Sequence, residues 1–129
     1  MENLPRDDAR QLLNAILSEL RGLLSEEFFS PASLSYHPVR DKIARFAWSL
    51  NPPAPELQEF LRRHGHSSEA WLPIDVGALD GIETAELLLR LKINISGDRW
   101  AKGALAPAFA SGTLLRALER IDAGLDGLI

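Results

Sequence analysis

The sequence predicts an all-α protein, a compact irregular bundle of five to seven helices with little or no sheet. Leucine-rich stripes recur at the three-and-four spacing of an amphipathic helix in several segments. Proline, glycine and serine separate these stripes, as they do where helices end or begin. Strand-like alternation is not sustained anywhere, and residues 91–96 form the only strand-like run. We therefore expect residues 1–129 to form a single helical domain.

The composition excludes several classes of protein. A chain of 129 residues with 46% hydrophobic and 25% charged residues can bury a core without a metal or a disulfide. The absence of cysteine excludes disulfide frameworks, cysteine nucleophiles, iron–sulfur centres and thiolate zinc sites. The sequence has no secretory signal and no run of about 18 apolar residues. We therefore expect a cytoplasmic protein that makes no use of the membrane.

Two helices are predicted in the first part of the chain. The first covers residues 7–25, behind Pro5 and an acidic first turn. The second runs from near Pro38 to about Ser49, and the sequence NPPAP then ends it because proline cannot continue the hydrogen-bond ladder. The apolar residues expected to face the core are Leu12, Leu13, Ile16, Leu17, Leu20, Leu23 and Leu24 in the first helix, and Val39, Ile43, Phe46, Ala47 and Leu50 in the second.

Shorter elements are predicted in the middle of the chain. Residues 55–65 favour a short helix with Pro55 in its first turn and Gly65 as its C-cap. Ser67 or Ser68 can cap one further turn. Residues 73–81 predict an irregular connection, because turn-forming residues dominate there.

A fourth long stripe follows Asp80. Asp80 and Glu83 have the spacing of a capping box, which predicts a helix over residues 81–95. The residues expected on its buried side are Ile82, Ala85, Leu87, Leu88, Leu89, Leu91 and Ile95.

Residues 97–121 combine three glycines with basic and aromatic residues, which invites comparison with a phosphate-binding loop. A loop of that kind needs Gly-Lys followed by a hydroxyl residue, after a strand. Here Lys102 precedes Gly103, no hydroxyl follows, and no strand leads in. The sequence therefore predicts the tight corner of a helical hairpin instead.

Each small residue of this corner has an expected structural role. Gly97 should end one helix, Asp98 should cap the next, and Gly112 should allow a sharp turn. Pro107 should bend or break the turn before it, and Gly124 should end the last helix. The residues expected to face inward are Trp100, Ala104, Leu105, Ala108, Phe109, Leu114, Leu115, Leu118 and Ile121.

The segment from about Asp80 to Ile121 resembles the C-terminal half of an uncharacterised family of short bacterial proteins, known only as a domain of unknown function. Its pattern is R-x-D-R-F/W-x-x-G-x-L-A-x-x-F-x-x-G followed by an aliphatic helix, and Ser96 stands where that family more often has a basic residue. The resemblance implies a helical domain and, because the activity of that family is unknown, it assigns no catalytic role. The matching positions are Asp98, Arg99, Trp100, Gly103, Leu105, Ala106, Phe109 and Gly112.

Candidate chemical groups are few. His64 and His66, with Glu69 near, are spaced to share a zinc ion, but a third ligand would have to come from Asp75 or His37 and no recognised ligand spacing is present. The serines after His66 lack the G-x-S-x-G turn of a hydrolase. We therefore expect neither an enzyme nor a bound metal or cofactor.

The charge is acidic overall and unevenly distributed. The chain has 14 Lys and Arg against 18 Asp and Glu, which opposes broad binding to phosphate backbones. Residues 31–66 are nevertheless mildly basic, with Tyr36, Phe46 and Trp48 available for stacking. A nucleic-acid-associated regulator is therefore the alternative function, and its contact residues would be Arg40, Lys42, Arg45, Arg62 and Arg63.

The leading hypothesis is a small acidic protein–protein interaction module. Its partner would be a protein with a basic surface, and the module would be an inhibitor, immunity or antitoxin-like protein that binds a bacterial or phage effector. Acidic residues speed the capture of a basic partner, and an exposed tryptophan often anchors one. The predicted partner-binding residues are Trp71, Asp75, Asp80, Glu83 and Glu86.

Overall fold

A computed structural model describes residues 5–50, 59–60, 62–63, 70–100 and 103–127 of the protein, without the side chains of Arg6, Arg99 and Trp100. Helices and turns account for the structure of these residues, and none of them lies in a strand. The predicted all-α fold is therefore confirmed. The predicted helix over residues 55–65 and the turn capped by Ser67 or Ser68 lie largely outside the described residues.

The described elements are short to medium helices in the following order. The α-helices are α1 (Arg6–Leu24), α2 (Pro38–Ser49), α3 (Thr84–Trp100), α4 (Ala106–Ser111) and α5 (Thr113–Ala123), and the 3₁₀ helices are Pro31–Tyr36, Val76–Gly81 and Leu125–Gly127.

The first two helices agree with their predictions. Helix α1 follows Pro5, and its acidic first turn is the favourable end of the helix dipole for carboxylates. Helix α2 has Pro38 in its first turn, and Nδ1 of His37 caps it by accepting a hydrogen bond from the Val39 amide at 3.1 Å. All the predicted core residues of these helices are buried except Leu12, which is half-buried, and Leu24, which is 38% exposed.

Helix α3 begins later than predicted, and the proposed capping box is wrong. Asp80 lies within the 3₁₀ helix Val76–Gly81, in a segment that we had expected to be irregular. The cap of that 3₁₀ helix is Asp75, whose carboxylate accepts a hydrogen bond from the Gly77 amide at 3.0 Å. Glu83 contributes its backbone carbonyl to α3, accepting from the Leu87 amide at 2.9 Å. A separate turn thus occupies the residues that matched the capping spacing.

Helix α3 is the centre of the bundle. It contacts α2 on one side and α5 on another, while α1 packs against both α2 and α5. Every residue from Leu87 to Leu89 and from Leu91 to Ile95 is buried, so the strand-like run 91–96 is a helix surrounded by protein. The sequence predicts an apolar stripe here, whereas the structure buries nearly the whole circumference of the helix.

The corner around residues 97–112 is confirmed in outline and corrected in detail. Gly112 has a φ of 87° and joins α4 to α5, as the corner requires. Helix α3 does not end at Gly97 but continues to Trp100. Pro107 lies in the first turn of α4, where its missing amide breaks no hydrogen bond. The predicted inward residues are buried except Leu115, which is half-buried, and Trp100, which lies outside the described side chains.

Gly97 is needed for close packing rather than for a helix end. A Cβ atom at this position would lie 2.7 Å from Cζ2 of Trp71, whose ring covers the helix backbone there. Only a residue without a side chain lets the indole approach so closely.

We predict that Gly97→Ala lowers the free energy of unfolding by about 1–3 kcal/mol, because the added methyl group overpacks the contact with Trp71. Gly22→Ala is the matched control in α1, where a Cβ meets no atom within 4 Å. The control should raise stability by up to about 1 kcal/mol through helix propensity. Urea denaturation followed by circular dichroism measures both, and equal effects of the two substitutions would contradict the packing role.

Candidate functional site

A buried carboxylate fixes the chain that follows α3. Asp98 has no exposed surface, and its Oδ1 accepts hydrogen bonds from Ser35 Oγ at 2.6 Å and from the Gly103 amide at 3.1 Å. The Leu105 amide donates to the same oxygen at 3.4 Å, and Nε of Arg40 lies 3.3 Å from Oδ2. Three separate segments of the chain therefore meet at one side chain.

The environment of Asp98 favours its ionised form. Burial alone would raise the pKa of this carboxyl group, but hydrogen bonds from Ser35, from the Gly103 and Leu105 amides and from Arg40 outweigh it. The pKa of Asp98 consequently lies below its usual value. The predicted cap at Asp98 is wrong, because Asp98 lies within α3 and the N-cap of α4 is Leu105, without a side-chain hydrogen bond. Asp98 instead holds the turn before α4 and forms a buried ion pair.

Two more polar residues of α3 hold the segment that follows Ala70. Asn94 is buried and bridges two loops: its Oδ1 accepts from the Leu72 amide at 3.3 Å, and its Nδ2 donates to the Ala104 carbonyl at 3.1 Å. Arg90 donates from Nη1 to the Trp71 carbonyl at 3.0 Å. Both loops are therefore fastened to the central helix through its side chains.

An apolar groove lies between the two fastened loops. Residues 71–74 form one wall, Pro107 and Ala108 belong to the other, and Asn94 connects the walls. The groove has a volume of about 430 Å³, within the range of about 300–1,000 Å³ typical of ligand sites. Carbon atoms provide most of its lining. We refer to this cavity as the 71–108 groove.

Trp71 is a wall of the 71–108 groove rather than an exposed side chain. It is half-buried, and its ring lies against Gly97. Its indole N–H is buried without an acceptor among the described residues. Packing therefore holds the ring in place, and its predicted role as an exposed anchor changes to that of a groove wall.

Exposed apolar side chains continue from the groove along the chain. Ile74 is 62% exposed and Val76 is 41% exposed. The chain beyond them is held in place, because Arg120 donates hydrogen bonds to the carbonyls of Leu79 and Ile82, the latter at 2.7 Å. This stretch, residues 73–78, thus presents apolar groups to solvent between two fixed ends.

The predicted acidic residues fall into two groups. Asp75, Asp80 and Glu83 are exposed, and none of them has an ion-pair partner among the described residues. Glu86 differs, because Arg90 Nε lies 3.1 Å from its carboxylate. Glu86 therefore belongs to the contacts that hold Trp71, whereas the other three carboxylates are available at the surface.

A second cavity brings acidic and basic candidates together. It has a volume of about 400 Å³, and its lining includes Phe60, Arg63, Glu83 and Glu86. Residues that we had assigned to separate acidic and basic surfaces therefore share one cavity.

Internal ion pairs engage most of the predicted nucleic-acid residues. The side chain of Arg40 is 14% exposed and pairs with Asp98, and Lys42 pairs with Glu19. Arg62 pairs with Glu59 in an exposed bidentate contact. Arg45 and Arg63 are exposed and have no ion-pair partner among the described residues. The five basic residues therefore do not form one free cationic patch.

Lys92 is a buried cation that the sequence pattern did not identify. It is 2% exposed, its Nζ donates to the Leu50 carbonyl at 2.5 Å, and it lies 5.1 Å from the centroid of the Trp48 ring. Burial lowers the pKa of Lys92 from 10.5 to about 8. The nearest described groups thus offer a carbonyl and a π face but no carboxylate.

Metal and membrane features are absent from the described part of the chain. No group of three His, Cys, Asp or Glu side chains there is placed to hold a metal ion. His64 and His66 lie outside it, while the suggested third ligands His37 and Asp75 each cap a helix. None of the described helices has the length and hydropathy to span a bilayer.

Asp98→Asn should lower the free energy of unfolding by about 3 kcal/mol near neutral pH, because it leaves Arg40 partly buried beside an uncharged amide. The folded-state pKa of Asp98 is depressed, so its contribution is present above its ordinary pKa of 3.8 and is lost as the pH falls through the lower folded value. The difference between the variant and the wild type should therefore shrink on acidification below about pH 4.

Denaturation curves recorded from neutral to acidic pH measure this effect. Asp126→Asn is the matched control, since that carboxylate is 71% exposed in its pair with Arg10 and should contribute no more than about 1 kcal/mol. A loss of stability in Asp98→Asn that does not change with pH would show that the charge of Asp98 is not what stabilises the corner.

Lys92→Met should abolish a rise in stability that the wild type shows at alkaline pH. Because the pKa of Lys92 is about 8 in the fold and 10.5 in the unfolded chain, the unfolded state binds more protons between these values. The free energy of unfolding of the wild type therefore increases with pH across that window. Urea denaturation at both ends of the window measures how the free energy of unfolding changes with pH. Lys42→Met is the control at a more exposed lysine. Equal pH dependence in the wild type and Lys92→Met would refute the assignment of the lowered pKa to Lys92.

Comparison of the chain with protein-family models, with curated proteins and with solved structures finds no match. The resemblance of residues 80–121 to an uncharacterised bacterial family therefore stays a prediction. Its described positions have structural roles here: Asp98 holds the amides of Gly103 and Leu105, and Gly112 forms the corner before α5. Evidence about the function therefore comes from the surface of the molecule.

Proposed function

We propose that the protein is a small acidic protein-binding module whose partner presents a basic surface. The observation that carries this proposal is the distribution of unpaired charge over the described residues. Ion pairs and contacts with backbone carbonyls together engage most of the described basic side chains and leave a surplus of carboxylates in solvent. A surface of this kind speeds the capture of a cationic partner.

A surplus of carboxylates remains when the charged groups that form ion pairs are excluded. Ion pairs engage basic side chains on α1, α2 and α3, including Arg10 and Arg21 of α1. Among the exposed residues that the structure describes, seven carboxylates and three guanidinium groups have no ion-pair partner. Arg120 and Lys92 lack one as well, but both donate to backbone carbonyls. The carboxylates are Asp7, Asp8, Glu26, Glu27, Asp75, Asp80 and Glu83, and the guanidinium groups are Arg45, Arg63 and Arg116.

Exposed apolar groups add a source of affinity to this charge. Ile74 is 62% exposed and Val76 is 41% exposed, and Asp75 lies between them in the chain. Large apolar side chains in solvent beside uncompensated carboxylates support a protein partner, because apolar contacts supply binding energy and charge supplies selectivity. An inhibitor, immunity or antitoxin-like role against a basic effector is compatible with such a surface.

The nucleic-acid alternative has weaker support. A phosphate backbone attracts clustered free cations. Of the five basic residues in question, Arg45 and Arg63 alone lack an ion-pair partner in the described part of the chain. We therefore retain this alternative only as an outcome of the experiment below.

Affinity purification of the tagged protein from its native cells tests the proposal. Asp80→Lys combined with Glu83→Lys should reduce recovery of the partner by about tenfold, because both carboxylates are exposed and unpaired. Raising the salt from about 0.1 M to about 1 M should weaken the wild-type complex, since the screening length falls from about 10 Å to about 3 Å.

The control is Arg45→Ala combined with Arg63→Ala, which removes two exposed positive charges where the test variant reverses two negative ones. Recovery should be unchanged by this control and by nuclease treatment. Recovery that depends on nuclease or on these arginines would favour the nucleic-acid alternative. The absence of any stoichiometric protein partner would contradict the proposal outright.

A further inference from the structure

The 71–108 groove is held open by polar side chains from α3. Asn94 uses both ends of its amide to hold Leu72 and Ala104, and Asp98 holds the amides of Gly103 and Leu105. These contacts set the distance between the two walls without filling the space between them. The groove is therefore a fixed feature of the fold.

The lining of the groove favours an apolar occupant. A specific site for a small molecule needs a few polar groups that converge on it. The amide of Asn94 is already committed to backbone groups, and the indole N–H of Trp71 is buried away from the surface. An aliphatic or aromatic side chain thus matches what the groove offers.

The surface beside the groove extends beyond a small molecule. Ile74 forms part of the wall, and Val76 lies two residues further along the same fixed stretch, both substantially exposed. Apolar side chains held out in solvent by a fixed loop are typical of protein-binding surfaces. A continuous chain segment can cover both the groove and this exposed stretch.

The charge beside the groove indicates the character of that segment. Asp75 stands between Ile74 and Val76, and Asp80 and Glu83 follow along the chain, all exposed and without an ion-pair partner among the described residues. No basic side chain lines the groove within the described part of the protein. A lysine or arginine of the partner would therefore find an uncompensated carboxylate.

From these observations we infer that the 71–108 groove binds a segment of the partner protein that carries one large apolar anchor with lysine or arginine beside it. The anchor enters the groove, the neighbouring apolar residues cover Ile74 and Val76, and the basic residues lie next to Asp75. This inference rests on the proposed function, to which it adds the surface and the chemistry of the partner. Phe28 marks the other exposed apolar surface and serves as the internal comparison.

Photo-crosslinking in the native cells tests this surface against the alternative. The photoreactive residue p-benzoylphenylalanine is placed at Ile74 in one variant and at Phe28 in another, and mass spectrometry identifies the crosslinked peptides. We expect an adduct at Ile74 with a different protein, in a segment that has lysine or arginine beside an aliphatic or aromatic residue. Position 28 should give no adduct with that segment.

A synthetic peptide of the crosslinked segment then gives the affinity by fluorescence anisotropy. Ile74→Ser combined with Val76→Ser should weaken binding by at least about tenfold, whereas the control Phe28→Ser should change it less than about twofold. Asp75→Asn keeps an oxygen that can accept from Gly77 while removing the charge. It should weaken binding a few-fold and reduce the dependence on salt.

The remaining outcomes separate the inference from the proposed function. An adduct with a protein at position 28 alone overturns the groove assignment and leaves the protein-binding function standing. An adduct with a second copy of the chain, or with a segment that lacks basic residues, overturns the assignment of the occupant. A small molecule that native mass spectrometry finds on the wild type but not on Ile74→Ser combined with Val76→Ser also overturns it. The absence of protein adducts at both positions contradicts the groove and the proposed function together.

Discussion

The hydrogen bonds and the ion pair of Asp98 are the constraint on which the second half of the structure depends. A carboxylate without exposed surface must be compensated, and Ser35, Arg40 and two backbone amides compensate this one. The 3₁₀ helix Pro31–Tyr36, the start of α2 and the turn into α4 are thereby joined. Movement of any of these segments would leave a buried charge incompletely paired, so their relative positions are fixed more strongly than apolar packing alone would fix them.

The same reasoning extends along α3, where Arg90, Asn94 and Asp98 recur at intervals of four residues and therefore share one face of the helix. Each of them binds backbone groups of a loop: Trp71, then Leu72 and Ala104, then Gly103 and Leu105. The central helix thus uses three polar side chains to position two loops. The 71–108 groove is the space that remains between those loops.

The sequence predicts much of this fold because local chemistry decides it. Proline and the apolar stripe place α2 at residues 38–49, and Gly112 forms its corner because a left-handed φ favours glycine. The predicted helix end at Gly97 is wrong, because the role of Gly97 is to allow close packing against Trp71, which is distant in sequence. The groove could not be predicted for the same reason. The four-residue spacing of Arg90, Asn94 and Asp98 within an apolar run was nevertheless a readable signal. Ion pairs such as Arg21 with Glu119 join opposite ends of the chain, so no local pattern identifies which charges stay free.

Rigidity links these contacts to the proposed activity. Association costs free energy when loops must become ordered, so a surface that is fixed before binding retains more of its interaction energy as affinity. The exposed stretch around Ile74 is anchored before it by Arg90 and Asn94 and after it by Arg120, which binds the carbonyls of Leu79 and Ile82. Its apolar side chains remain in solvent although the surrounding backbone is held in place. The buried polar contacts of α3 thus hold in place a surface that has no partner within the described chain. This supports a second protein as the group that covers that surface.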